Sequence, residues 1–303
     1  MEAQSQGGAR FIPQNPAELL EVWRESVVLD GFADPSGSVL HELSLYFDIS
    51  VDEARDRCLH WVRDSVQEWE ASARDTPEGL LDFYRTTQSW IFDTMWYHAQ
   101  QYYGTKPAES VMIARRLAHL QPGRHLDYGA GVGSTSLFFQ RLGWQVALAD
   151  ISASMQAFAR WRFAQRKLDA EFYDLTAQEL PADYFDVVTA CDVMAHVPDP
   201  ARTLRRIRRS LKPGGLLIFN VMAHPDLTGE YVGHLYHHSY PVLQPVRRIG
   251  FERLPRLEFF HVYRKVSRRT PARALAVQLY DAVRYNRLVS AGGDVKRAVA
   301  RLR

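Results

Sequence analysis

Hydrophobic spacing divides the 303-residue chain near residue 110. On the N-terminal side the apolar positions keep a helical period: Ala54, Cys58, Trp61, Val62, Ser65 and Trp69 fall on one face, behind the capping pair Ser50 and Glu53. A second helix is predicted from Thr76-Pro77, where a cap residue precedes a proline at the first helical position, and Leu80, Tyr84, Ile91 and Met95 form its inner stripe. A third, at roughly 108 to 120, leads out of this region.

Beyond it, short apolar runs alternate with helical stretches. A strand reaches Asp127, a helix runs from Ser134 to Leu142 and is closed by Gly143, and a second strand covers Trp144 to Ala149. A helix with Met155, Phe158 and Trp161 follows, then a strand at Ala170 to Tyr173, a fourth entered through Asp186-Val187-Val188 and a fifth entered from Leu211. Ser239 opens a further helix that ends near Gly250, strands are expected from Phe251 and over Leu257 to Arg264, and a basic helix at about 271 to 301 closes the chain. This alternation predicts an α/β fold with parallel neighbouring strands, carrying a helical N-terminal subdomain. The division is 1–108 for that subdomain or lid, 109–270 for the sheet domain and 271–303 for the basic helix.

The chemistry concentrates where the first strand meets its helix, in Tyr128-Gly129-Ala130-Gly131-Val132-Gly133-Ser134. A chain that leaves a strand and enters a helix within a few residues needs positive φ angles and backbone unshielded by Cβ atoms, which Gly129, Gly131 and Gly133 supply. The helix that follows points its N-terminal N–H groups and positive dipole end at whatever lies above the turn, where a carboxylate is welcome. Asp150 closes the second strand about 20 residues on, where a carboxylate accepts hydrogen bonds from ribose hydroxyls. Turn and acid together call for a nucleoside cofactor. The dinucleotide fingerprint wants its third glycine one residue later, where Ser134 stands, so NAD is demoted.

The pattern Asp-x-Gly-x-Gly-x-Gly resembles motif I of the class I S-adenosylmethionine-dependent methyltransferases, and ordered landmarks extend the resemblance over residues 110 to 265. These are Asp150-Ile151, Asp174-Leu175, the run Leu180 to Val188, the run Cys191 to Pro200, and Leu211-Lys212-Pro213-Gly214-Gly215. The nearest flavour is that of ubiquinone-biosynthesis-type small-molecule methyltransferases, whose fourth strand commonly runs into Leu-Glu-His-Val where this chain has Met194-Ala195-His196-Val197. The resemblance implies a Rossmann-like, mostly parallel sheet of seven strands, S-adenosylmethionine as cofactor and transfer of its methyl group to a small-molecule oxygen, nitrogen or carbon. By the same resemblance Asp127 and Gly129 serve the methionine moiety within the turn that Ala130, Gly131 and Gly133 complete. Asp150 binds the ribose, Ile151 packs on adenine, Asp174 with Leu175 addresses the adenine edge, and Cys191 lines the site. His196 matches the family position and is the candidate general base, with His98, His224 and His237 as fallbacks. Alanine at position 195 removes the family's glutamate, and no metal is implied.

Two segments are candidates for the acceptor wall. Trp96, Tyr97, His98, Tyr102 and Tyr103 read either as packed core or as a lid over the sulfonium, whereas Trp61, Trp69 and Tyr84 are expected to be core. The segment after the fifth strand carries His224, His234 and His237 with Tyr231, Tyr236 and Tyr240. It falls beyond the carboxyl end of a strand, where open α/β sheets bind ligands.

Charge and cysteine content narrow the setting. Residues 1 to 110 hold 8 basic against 19 acidic side chains, and residues 242 to 303 hold 15 against 4. The basic tail reads as a face docking on the acidic region of its own chain or of a second subunit in a homodimer, more than as a nucleic-acid surface. Two cysteines, Cys58 and Cys191, without Cys-x-x-Cys spacing, point to a reducing compartment. With no secretory pattern and no apolar run of membrane-spanning length, a cytoplasmic protein is expected. A nucleic-acid methyltransferase and a catalytically silent cofactor-binding protein stay open beside the small-molecule enzyme.

Overall fold

The computed structural model describes residues 12–222, 233–236 and 238–266. His224, His237, Tyr231 and the C-terminal helix expected at 271 to 301 lie outside them. Seven helices precede the sheet: α1 (Pro16–Val27), α2 (Pro35–Phe47), α3 (Val51–Leu59), α4 (Trp61–Ala71), α5 (Pro77–Thr86), α6 (Ser89–Tyr102) and α7 (Glu109–Leu117). The α/β portion follows as β1 (Arg124–Tyr128), α8 (Ser134–Arg141), β2 (Gln145–Asp150), α9 (Ala153–Gln165), β3 (Glu171–Asp174), β4 (Phe185–Ala190), α10 (Pro200–Ser210) and β5 (Leu211–Phe219). It ends with α11 (Tyr240–Ile249), β6 (Phe251–Arg253) and β7 (His261–Lys265). The strands form one sheet in the order β3-β2-β1-β4-β5-β7-β6. The first five are parallel, and β7 runs antiparallel to both β5 and β6.

Strand order reverses between β1 and β4, which opens a crevice beyond the carboxyl ends of those strands. Side chains of β1 alternate across the sheet: Leu126 and Tyr128 join one core with α10 and α11, whereas His125 and Asp127 turn toward α8. The helices are amphipathic in the ordinary way. In α10 the Asp199 side chain accepts the Arg202 N–H at 2.9 Å and Pro200 opens the helix, while Leu204 and Ile207 are buried beneath its arginines.

The N-terminal helices pack directly on the sheet portion. Leu19, Trp23 and Val27 of α1 share a core with Leu137, Phe138 and Phe139 of α8. Helices α2, α3 and α6 close over Val132, Met155 and Phe158. A buried ion pair ties these layers: Glu42 of α2 accepts from Arg162 Nε at 2.9 Å and from Arg166 Nη1 at 2.8 Å. Burial alone would raise the Glu42 carboxyl, but Arg162 and Arg166 together hold it below its ordinary range.

The two long helices expected in the N-terminal region are each divided. The face from Ala54 to Trp69 breaks at His60, whose φ of −113° and ψ of 22° lie outside the helix; Ala54, Cys58 and Ser65 are buried, and the tryptophans only half so. The stripe from Leu80 to Met95 breaks at Thr87-Gln88, because a carboxylate from elsewhere caps the second half. Glu68 of α4 accepts the Gln88 N–H at 3.1 Å, the Ser89 N–H at 3.2 Å and the Ser89 hydroxyl at 2.6 Å. That remote cap satisfies donors which a continuous helix would have satisfied internally, and it has no local sequence signature. The last strand is also shorter than expected: Leu257 and Phe260 pair across a turn, and the ladder begins at His261.

Candidate active site

The glycine turn meets the demands read from its composition. Gly129, Gly131 and Gly133 have φ of 72°, 53° and 77°. A Cβ on Gly129 would overlap the Val193 methyl groups, and one on Gly133 would stand 2.9 Å from a Leu148 methyl. Gly129 N–H donates to the Ala149 carbonyl at 2.7 Å and Ala130 N–H to the same oxygen at 3.2 Å, which pins the turn on β2. Helix α8 starts from Gly133 without a side-chain cap, unlike α9, where the Ser152 hydroxyl accepts the Met155 N–H. Its first-turn donors have no side-chain cap, which is the arrangement that can receive a ligand carboxylate.

The acids are arranged at two depths. Asp150 and Asp174 stand opposite each other in the β2–β3 register, while Asp127 pairs with Leu148, two positions further inside. Asp150 is buried and accepts the Gly131 and Ser152 N–H groups, each at 2.8 Å, which fixes its carboxylate against the turn. Burial raises its pKa despite those donors. Ile151 is half-buried beside it, and the Leu175 N–H reaches the Asp150 carbonyl at 2.9 Å. Asp174 accepts the Thr176 hydroxyl at 2.6 Å and N–H at 2.8 Å, and the hydroxyl bond leads the effects that hold its pKa low. The Asp127 carboxylate accepts from Thr189 at 3.0 Å and Ser136 at 3.1 Å, and burial pushes it up to about 6. His125 Nε2 lies 2.9 Å from the Thr189 hydroxyl, so Asp127 anchors a polar string that locks β1, β4 and α8 together. Cys191 sits at the end of β4, where burial pushes its thiol well up.

His196 lies in the loop after β4, its N–H held by the Val193 carbonyl at 3.0 Å. Its ring is surrounded by Trp90 at 5.3 Å, Tyr84 at 5.9 Å and His234 at 4.6 Å between centroids. His196 Nδ1 is 3.0 Å from the Gly233 carbonyl, which also accepts the Tyr84 hydroxyl at 2.6 Å. Burial pushes the His196 pKa down to about 4, with the neighbouring His234 adding to the effect. Tyr84 is buried as expected for core, yet it belongs to this site; the helical stripe predicted its burial and gave no sign of its hydroxyl's partner.

The aromatic group on α6 does not converge on one point. Tyr97 donates to Glu109 at 2.5 Å and so faces the mouth of the crevice, whereas Trp96 packs with the α2–α3–α6 core. His98 turns the other way, edge-on to Trp23 at 5.5 Å, with burial pushing its pKa down to about 3. Tyr102 stacks edge-on with Tyr103, and Tyr103 is exposed and bonded to Asp34. Helical rotation of 100° per residue separates these neighbours, which a reading of them as one wall overlooks. Two acids take the place facing the crevice. Burial pushes both Asp93 of α6 and Glu109 of α7 up to about 7, and Asp192 at the end of β4 is close enough to raise each further. Asp93 lies one turn before Tyr97, so the helical period would have found it had acids been sought along with aromatics.

The donors fit an adenosyl sulfonium: bare backbone at Gly129 and Gly131, free helix N–H groups, a buried carboxylate at Asp150 and acids nearby to face a cation. A family model described as a methyltransferase domain matches residues 95–281. A ubiquinone biosynthesis O-methyltransferase of Xanthomonas campestris pv. campestris is 28% identical over 166 residues, covering 50% of this chain and 69% of that protein. The protein of the same description from Alkalilimnicola ehrlichii is 33% identical over 114 residues, 36% of this chain and 46% of that one. Among solved structures, Haemonchus contortus phosphoethanolamine N-methyltransferase 2 with S-adenosyl-L-methionine is similar at 24% identity and a TM-score of 0.42, over 60% of this chain and 43% of that one. The chain belongs to the methyltransferase-domain family, as a class I enzyme that uses S-adenosylmethionine.

Proposed function

We propose that this enzyme methylates a hydroxyl of a small-molecule acceptor held beneath α5 and α6, and that His196 takes the hydroxyl proton. One observation carries the reading: the contact of His196 Nδ1 with the Gly233 carbonyl. A carbonyl oxygen only accepts, so Nδ1 bears the ring proton and Nε2 presents a lone pair. With its pKa pushed down to about 4, the ring stays neutral throughout the physiological range. S-adenosylmethionine, when bound, supplies a methyl group already activated toward a nucleophile.

The chain's own part is then to align, to shelter and to move one proton. Asp150 and the glycine turn orient the nucleoside, and alignment of this kind contributes on the order of 7 to 11 kcal/mol. Trp90, Tyr84 and the loop at Gly233 exclude water, a competing nucleophile. A ring this reluctant to protonate serves first as an acceptor that aims the hydroxyl, and it gains the proton as the new bond to oxygen forms. Asp93, Glu109 and Asp192 supply negative charge against the cationic cofactor. In this reading residues 1–108 cover the acceptor, and 109–270 bind the cofactor and carry the base. The curated relatives named as O-methyltransferases support an oxygen acceptor.

The test is a panel of phenolic and aliphatic hydroxyl acceptors with His196→Ala and His196→Gln. Loss of a base is expected to lower kcat by about 10²–10⁴ while leaving S-adenosylhomocysteine binding in calorimetry unchanged. Wild-type activity should persist as pH falls through 6.5 and be lost only near pH 4. Turnover by His196→Ala within a few-fold of wild type would end the assignment.

A further inference from the structure

One cavity among the described residues lies outside the crevice. It lies at the opposite edge of the sheet, between the end of α7 and the starts of β1, β4 and β5, with a volume of about 500 Å³. Such a volume suits a small ligand. Its walls carry Arg116, His119, Lys212, Arg264, Asp186 and Trp144.

The charges there do not cancel. Asp186 is already committed: its carboxylate accepts the Arg124 N–H at 2.8 Å and Lys212 Nζ at 2.8 Å. The side chains of Arg116, Arg264 and His119 have no hydrogen bond or ion pair among the described residues. Two permanent cations, one on α7 and one on β7 with Glu252 opposite it in the strand register, therefore border a concave space without an ion pair of their own among the described residues. The Trp144 ring, only 2% exposed, adds a buried Nε1–H that has no acceptor among the described residues. A buried donor without an acceptor costs about 1–3 kcal/mol.

We propose that this cavity is a binding site for a small phosphate-bearing metabolite, separate from the cofactor crevice. Guanidinium groups match phosphate through paired N–H donors, and Arg116 and Arg264 are the two available to do so. Lys212, held by Asp186, contributes field more than contact. The site stands on α7, whose other end carries Glu109 at the mouth of the crevice, so occupancy at one edge bears on the element that borders the other.

The experiment titrates the full chain with pyrophosphate in calorimetry, against chloride at matched ionic strength. The expected result is saturable binding that S-adenosylhomocysteine neither blocks nor competes for. Arg116→Gln and Arg264→Gln are each expected to weaken it roughly ten-fold or more. Should Arg264→Gln fail to fold, Arg116→Gln on the half-buried face of α7 decides alone. No saturable pyrophosphate binding, displacement by S-adenosylhomocysteine, or undiminished affinity in Arg116→Gln would each overturn the proposal.

Discussion

The two halves of the crevice are built in opposite ways. The cofactor half comes from one continuous stretch, and its contacts are mostly backbone: the glycine turn, the Ala149 carbonyl, the uncapped start of α8 and a carboxylate 19 residues from the amide it accepts. The half proposed to hold the acceptor is made of side chains brought from afar, as in the bond from Tyr84 to Gly233 across 149 residues. A ligand common to a whole family can be met by backbone, which is the same whatever the sequence. A ligand particular to one enzyme must be met by side chains, and those can come from anywhere the fold brings close.

Variants should separate the halves, and the largest effect should come where they are joined. Glu42→Ala leaves Arg162 charged, wholly buried and without its carboxylate. A loss of about 3–5 kcal/mol is expected, seen in thermal unfolding as a fall of roughly 6–20 °C in Tm. Gly129→Ala should strike the cofactor half alone. The new methyl overlaps Val193 at a φ of 72°, and S-adenosylhomocysteine affinity should fall by about 2 kcal/mol, or thirty-fold, in calorimetry.

The pH dependence couples the halves more gently. Asp93 and Glu109, pushed up to about 7 by burial, bind protons more readily in the folded chain than unfolded, so the stability they contribute is present at low pH and is lost as pH rises through about 7. Their ionised forms attract a cation. Between pH 6 and 8 the ligand-free protein should therefore lose thermal stability, while affinity for S-adenosylmethionine should rise by up to roughly ten-fold relative to S-adenosylhomocysteine, whose sulfur carries no charge. A ratio of the two affinities that does not change with pH would place these acids away from the sulfonium. Smallest is Tyr84→Phe, which removes one donor from the Gly233 carbonyl and leaves His196 as its partner. A loss of about 0.5–1.5 kcal/mol in kcat is expected, with cofactor affinity unchanged.

The same contrast explains what could be read before folding. The glycine turn, Asp150 and Asp174 at their strand tips, and the parallel pairing of the first two strands were legible because each is a local demand: a positive φ, a strand tip, a short connection. The break between α5 and α6 was not, because Glu68 imposes it from 20 residues away. Nor was the dispersal of Trp96, Tyr97, His98, Tyr102 and Tyr103, since composition records how many rings a helix holds and only its packing records which way each faces. Arg162 shows the limit most plainly. Within its helix it reads as one more arginine, yet it is wholly buried and donates to the Val132 carbonyl at 2.8 Å and the Ser134 hydroxyl at 2.8 Å.

Val193 joins the two ligands' territories by a fixed length. Its methyl groups fill the space that a bare Gly129 leaves, and its own carbonyl receives the amide of the imidazole-bearing residue. In the proposed reading, the span from the cofactor turn to the imidazole is thus gauged by a single residue, and lengthening it would open a gap against the glycine. Diversification toward new acceptors is thereby left to the overlying helices, which can be repacked while that gauge stays unchanged.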